Sequence, residues 1–263
     1  MARARLRTEQ VRPVLDAAVA ALGGWLDAEL PALAPDALAA PSVLAGWTVR
    51  DLVAHLVLVA DSVVRLEPLA RSTPVLSVAD YLAGYRAGAP AVAERTRAVC
   101  ASTDDLAAAY LRRWQQAAER LDALGSVPAV RARRGPVRTA DFVLTRVVEV
   151  VVHADDLARS LPDAPAPALP VQAQRLAVRT LLEALAARHP GQALEVRVPP
   201  VTAVQCLPGP RHTRGTPPGV VETDPTTWLR LAAGRERWAD AVAAGRARAS
   251  GERADLAAYL PLL

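Results

Sequence analysis

The stretch "TRVVEVVVHADDLARS", residues 145–160, sets a glutamate and a histidine four positions apart inside a run of valines. Its secondary structure decides what the two can do together. Valine density favours a strand, but from Thr139 to Ser160 there is neither Gly nor Pro, and so long an uninterrupted stretch exceeds ordinary strands. In a strand, positions four apart lie about 13 Å from each other. In a helix they stack one turn apart, with Cα atoms about 6 Å apart. The stretch therefore reads as a helix that offers one carboxylate and one imidazole to the same point. Two readings stay open: Glu149 and His153 are a private i,i+4 ion pair, or they are two of three ligands.

A third group comes from "AGWTVRDLVAHLVLVADSVVRL" (45–66). Thr48 is a good N-cap with Asp51 at the third helical position, and Trp47 can staple onto Leu52. His55 follows two turns into an otherwise apolar helix, where a lone histidine is ordinarily a satisfied core residue. Taken together, His55, Glu149 and His153 on two helices of one bundle would form a His2Glu site with coordination positions left open. The same donors describe the facial triad of non-haem iron enzymes, so the metal stays open between zinc and iron. A structural zinc would need a fourth protein ligand; His189 and His212 have no spacing that offers one.

Composition narrows the classes. The 263 residues are 52% hydrophobic, enough for one large domain or two small ones. No uncharged apolar run reaches the roughly 18 residues that span a bilayer, and Glu9, Arg12 and Asp16 break the N-terminal apolar stretch, so neither a membrane span nor a signal peptide is expected. Cys100 and Cys206 form no motif and read as free thiols of a cytoplasmic protein. There is no lysine, isoleucine or asparagine. This pattern reflects G+C-rich codons and excludes a Schiff-base or P-loop lysine. The net charge of +4 is modest, and arginines alternate with acids except at "RARRGPVR" (131–138). That segment reads as an exposed arginine-rich loop rather than a nucleic-acid surface, which would pair a basic face with stacking aromatics.

Residues 1–160 read as helices. Between 103 and 124, Leu106, Tyr110, Trp114, Ala117, Leu121 and Leu124 recur at helical steps, with Thr103 as cap and Gly125 as terminator. Residues 8–30 and 77–97 show weaker patterns, each interrupted by a proline (Pro13, Pro90). "LPDAPAPALP" (161–170) reads as a stiff linker. Beyond it, 171–188 reads as a helix, and "LEVRV" (194–198), 219–223 and "RARAS" (246–250) read as strands. "DPTTWLRLAAG" (224–234) and "ERADLAAYLPLL" (252–263) read as helices, making residues 171–263 an α+β domain.

"GWTVRDLVAHL" and "RVVEVVVHADDLARSL" resemble the two signature motifs of the mycothiol-dependent maleylpyruvate isomerase family, within the DinB/YfiT-like metal-binding bundles. The resemblance covers roughly residues 8–160. It implies an all-α, DinB-like four-helix bundle that carries His55, Glu149 and His153 as metal ligands. Arg146 and Asp156 match the family's arginine and aspartate, and read as partners that hold the ligands or as a cross-helix salt bridge. The segment 222–263 is similar to the end of bacterial sterol-carrier-like domains, small α+β modules that often enclose an apolar cavity. In the isomerases an arginine of the C-terminal domain reaches the active site; the resemblance implies Arg235, after Gly234, as its counterpart, the other reading being a solvent-facing arginine at a helix end.

The resemblance implies zinc or another divalent ion, mycothiol as thiol cofactor, an actinobacterial source, and a small-molecule electrophile isomerised or thiolated by a metal-activated sulfur. A competing expectation is a non-catalytic carrier that holds an apolar ligand in the C-terminal domain and keeps its metal as a relic or structural element.

Overall fold

The computed structural model describes residues 6–34, 36–209 and 219–263; His212 lies outside them. The chain divides into two compact units, Met1–Ser77 with Tyr85–Ala173, and Gln174–Leu263 with Val78–Gly84. No described helix is long and apolar enough to cross a membrane.

Along the chain run α1 (Thr8–Glu29), α2 (Val49–Val64), β1 (Glu67–Leu69), α3 (Val78–Ala83), α4 (Tyr85–Ser102), α5 (Leu106–Leu124), β2 (Ala129–Ala132), β3 (Gly135–Arg138) and α6 (Thr139–Ser160). In the first unit α2 packs against α5, α4 and α6, and α1 packs against α6 and α5. The valine run is helical, as its length requires. Every residue of α6 from Thr139 to Leu157 is buried except Asp141 and Asp155. A helix covered on all sides has no apolar stripe to display, which is why this sequence lacks a helical period. By contrast α1 buries a regular face of Val11, Leu15, Ala18, Leu22 and Leu26, and continues through Pro13. The proline removes one hydrogen bond near the helix start, while the face on either side stays packed.

Several local expectations are corrected. The helix expected over 77–97 is broken at Gly84 into α3 and α4, and α4 runs on to Ser102. Thr103 is not the cap of α5; Asp105 is, its carboxylate accepting from the Ala108 N–H at 2.9 Å. Gly125 does end that helix, with φ of 51°. The supposed arginine loop 131–138 is the greater part of a hairpin, β2 and β3, with Val130 opposite Val137 and both fully buried. Its turn needs Gly135, whose φ of 124° lies outside the range of other residues. Three of its arginines have partners within the unit: Arg131 lies 3.6 Å from Glu67 of β1, Arg138 bonds Asp141 at 3.1 Å, and Arg134 covers the Tyr85 ring. The proline-rich segment 161–170 has no helix or strand, and Trp25 Nε1 ties it to α1 by donating to the Pro165 carbonyl at 2.6 Å.

The second unit contains α7 (Val171–Arg188) from Gln174 onward, β4 (Leu194–Val198), β5 (Thr202–Cys206), β6 (Gly219–Thr223), α8 (Pro225–Ala232), α9 (Trp238–Ala243) and β7 (Ala247–Ser250). The sheet order is β5-β4-β6-β7, with β4 and β6 parallel and the other pairs antiparallel. β4 buries Leu194, Val196 and Val198, as its alternation requires. Asp224 caps α8 and Pro225 opens it. β5 and α9 were not anticipated: β5 is a half-exposed strand at the sheet margin, and α9 has 6 residues, too few to show a period. The helix expected over 252–263 is absent. Only a single 3-10 turn, Ala257–Tyr259, forms there; Pro261 cannot continue a helix, and the Leu262 N–H bonds the Ala232 carbonyl at 2.8 Å.

The two caps can be tested in one set of variants. Thr48→Ala and Asp105→Ala should each lower unfolding free energy by about 1 kcal/mol in urea denaturation, whereas Thr103→Ala should change it by less than about 0.5 kcal/mol.

Candidate metal centre

The capping box that starts α2 sets the phase of His55. Thr48 Oγ1 accepts from the Asp51 N–H at 3.1 Å, and Asp51 accepts from the Thr48 N–H at 2.8 Å. From that start, His55 falls on the side of α2 that meets Glu149 and His153 of α6. Its Nε2 lies 3.4 Å from Glu149 Oε2, and His153 Nε2 lies 3.3 Å from the same oxygen. Potential ligand atoms of the three residues are all within 4.8 Å of one another, the one such group of His, Cys, Asp and Glu among the described residues. The side chains keep 12%, 10% and 8% of their surface exposed, so the cluster is recessed but still reached by solvent.

Each member is held from behind. Asp156, wholly buried, lies 2.9 Å from His153 Nδ1. A carboxylate only accepts, so Nδ1 carries a proton, and Nε2 faces Glu149 Oε2, which it meets either with a second proton or across a shared cation. Arg146, also buried, donates from Nη2 to the other Glu149 oxygen at 3.5 Å, and from Nη1 to Ser62 Oγ at 3.0 Å. Its Nη2 further donates to the Tyr85 hydroxyl at 2.6 Å and to Thr145 Oγ1 at 3.1 Å. His55 is fixed by rings, with Trp47 edge-on at 5.5 Å and His153 at 4.6 Å between centroids, while its Nδ1 is buried with no hydrogen-bond partner.

The electrostatics keep the carboxylate charged. Burial pushes Glu149 up, but hydrogen bonds to His153 and His55 and the charge of Arg146 hold it well below the usual carboxylate range. Burial is also the largest influence on both imidazoles. It holds His55 below the ordinary range, whereas bonds to Asp156 and Glu149 outweigh it at His153 and raise that group.

These donors fit a divalent ion. A lone pair on Nε2 of His153 facing a carboxylate oxygen at 3.3 Å is repulsive unless a proton or a cation lies between them. Ligand atoms at about 2.0–2.1 Å from one tetrahedral ion would stand about 3.3 Å apart. The two separations to Glu149 Oε2 have that spacing. Two neutral imidazole nitrogens and one carboxylate could hold zinc or a similar ion and leave a coordination position open.

The structure thus brings together His55, Glu149, His153, Arg146 and Asp156. Arg235 belongs to the second unit, where its Nη1 donates to the Ala233 carbonyl at 2.7 Å. His189 is also in that unit, with its ring 4.8 Å from Tyr259. Neither cysteine joins the cluster in the first unit. Burial and the Asp51 carboxylate push the Cys100 thiol up to about 11, and burial raises Cys206 to about 11, so both stay protonated at neutral pH. Sequence reasoning missed Ser62, Tyr85 and Thr145 around Arg146, and the edge-on contact of Trp47 with His55. Ser62 had a signal, seven residues after His55 and so on the same helix face; Tyr85 had none, because only tertiary packing brings it there.

Residues 15–158 match the family model described as the mycothiol maleylpyruvate isomerase N-terminal domain, and residues 171–262 match the one described as bacterial SCP ortholog. No curated protein sequence matches the chain. Two solved structures share its fold: the crystal structure of the mycothiol-dependent maleylpyruvate isomerase, and that of a histidine-to-alanine mutant of it. Each aligns with a TM-score of 0.56 at 18% identity, covering 93% of either chain. The first family model spans more than half of the chain and contains His55, Glu149 and His153, so the chain belongs to the mycothiol maleylpyruvate isomerase N-terminal domain family, here joined to a sterol-carrier-like C-terminal domain.

Proposed function

We propose that the protein is a metal-dependent, mycothiol-using isomerase or S-transferase acting on a small electrophile, built on a DinB-like four-helix bundle. The observation that carries this reading is the meeting of two Nε2 atoms on one anionic oxygen, Glu149 Oε2, in a recess that solvent still enters. His55, Glu149 and His153 would hold the ion, and zinc suits the donor set. The chemistry such an ion would supply is a lowered pKa for an arriving thiol, and so a sulfur nucleophile at neutral pH for conjugate addition or cis–trans isomerisation by reversible addition. The chain's own part is to fix that geometry. Asp156 keeps the His153 proton on Nδ1, Arg146 turns the second Glu149 oxygen away from the ligand face, and the Trp47 ring seats His55.

The sulfur is external on this reading, because neither Cys100 nor Cys206 ionises at neutral pH. Mycothiol is the candidate thiol, since it names both the matching family model and the crystallised relative. Arg235 is our candidate for substrate contact from the second domain. Packing disfavours the carrier alternative. Leu181, Leu182 and Leu185 of α7 and Leu194, Val196, Val198 and Val221 of the sheet are all fully buried, which leaves no water-sized void against them. An apolar ligand would have to displace packed side chains.

Elemental analysis of purified variants tests the ligands. His55→Ala and His153→Ala should each lose most bound metal, whereas Arg235→Ala should retain it; unchanged metal in both histidine variants would refute the assignment. Mycothiol should raise the melting temperature of the native protein through ligand linkage, and that shift should vanish after chelation. A shift with fatty acids alone would point to the carrier.

A further inference from the structure

Among the described residues Arg146 is the guanidinium that touches Glu149, and what holds Arg146 lies outside the two signature segments. Its shortest hydrogen bond, 2.6 Å, runs from Nη2 to the hydroxyl of Tyr85, whereas the same nitrogen reaches Glu149 Oε1 only at 3.5 Å. Tyr85 is the first residue of α4, immediately after the break at Gly84, so its ring direction is set where one helix stops and another starts. That ring is covered by Arg134, whose guanidinium carbon sits 4.0 Å from the ring centre. Arg134 projects from the hairpin turn between β2 and β3 and lies beside Gly88, one turn along α4.

These contacts form one line: hairpin turn, Tyr85 ring, Arg146, Glu149. Arg146 Nη2 meets three acceptors, Tyr85 at 2.6 Å, Thr145 Oγ1 at 3.1 Å and Glu149 Oε1 at 3.5 Å. The nearest, Tyr85, draws the guanidinium toward itself and keeps its bond to Glu149 long. A carboxylate that is only weakly paired retains more of its charge for another partner.

We propose that Tyr85, clamped beneath Arg134, is a positioning residue. It sets how closely Arg146 approaches Glu149, and so tunes the affinity of the His55–Glu149–His153 cluster for a divalent cation. The inference rests on the metal reading above and extends it to two residues outside the cluster. Without the hydroxyl, Arg146 closes onto Glu149 and competes with the metal for it. Without Arg134, the Tyr85 ring loses its cover and the hydroxyl its fixed place.

Direct charge effects give the opposite sign for one of these changes. Arg134 is a cation stacked on the ring whose hydroxyl bonds Arg146, so its removal by electrostatics alone would tighten metal binding. Positioning demands that removal weaken it.

The test is zinc affinity by competition with a chromophoric chelator, on metal-stripped full-length protein. Tyr85→Phe should weaken binding about tenfold, within the span typical of residues that orient metal ligands. Arg134→Ala should weaken it by a smaller factor, and should have no further effect in the Tyr85→Phe background, because it acts through that hydroxyl. Circular dichroism and melting of the metal-free variants confirm that each is folded. Wild-type-like affinity in Tyr85→Phe, or tighter binding in Arg134→Ala, would overturn the proposal while the metal site stands. Wild-type protein that binds no zinc would overturn the metal reading and this inference together.

Discussion

A charged carboxylate buried within a valine helix is the constraint from which the rest of the first unit follows. Leaving Glu149 ionised in such surroundings without compensation is prohibitive. The chain answers with His55 and His153 on one oxygen and Arg146 on the other. Each of these is buried or nearly so and needs a partner of its own, hence Asp156 behind His153, and Ser62, Tyr85 and Thr145 around Arg146. A polar network of this size inside a helical core is costly if any member is missing. The network surrounds a recess that water still reaches, and it is closed except at His55 Nδ1, which is buried with no hydrogen-bond partner.

The parts of this arrangement carried by local rules were legible in the sequence. The absence of Gly and Pro over Thr139–Ser160 forced a helix, and a helix forced Glu149 and His153 one turn apart. The capping box at Thr48 placed the start of α2, and with it the face on which His55 lies. What failed were features that depend on partners distant in sequence. The arginine segment 131–138 looked like a loop because its strand partner, Glu67–Leu69, is too short to announce itself and lies far upstream. The closing segment had helical composition, but its apolar Leu256 and Leu262 are better buried in an extended path. Tyr85 had no motif at all; the contact to Arg146 exists only because α4 begins where it does.

The two domains place different demands on function. The first presents two imidazoles and a carboxylate at a solvent-reached point, with Cys100 outside the cluster and held protonated by burial and the Asp51 carboxylate. The second, sterol-carrier-like by family, has a sheet and helix interior whose large apolar side chains are fully buried. The shared fold with a mycothiol-dependent isomerase at 18% identity leaves the choice of electrophile to the residues of this chain.

The most direct measurement is X-ray absorption at the zinc edge of the reconstituted protein, before and after mycothiol is added. Two imidazoles and one carboxylate should give only nitrogen and oxygen neighbours at about 2.0–2.1 Å in the first spectrum, and one sulfur at about 2.3 Å should enter in the second. A first spectrum that already contains sulfur, or a second that gains none, would contradict a zinc ion held by His55, Glu149 and His153 and kept open for an incoming thiolate.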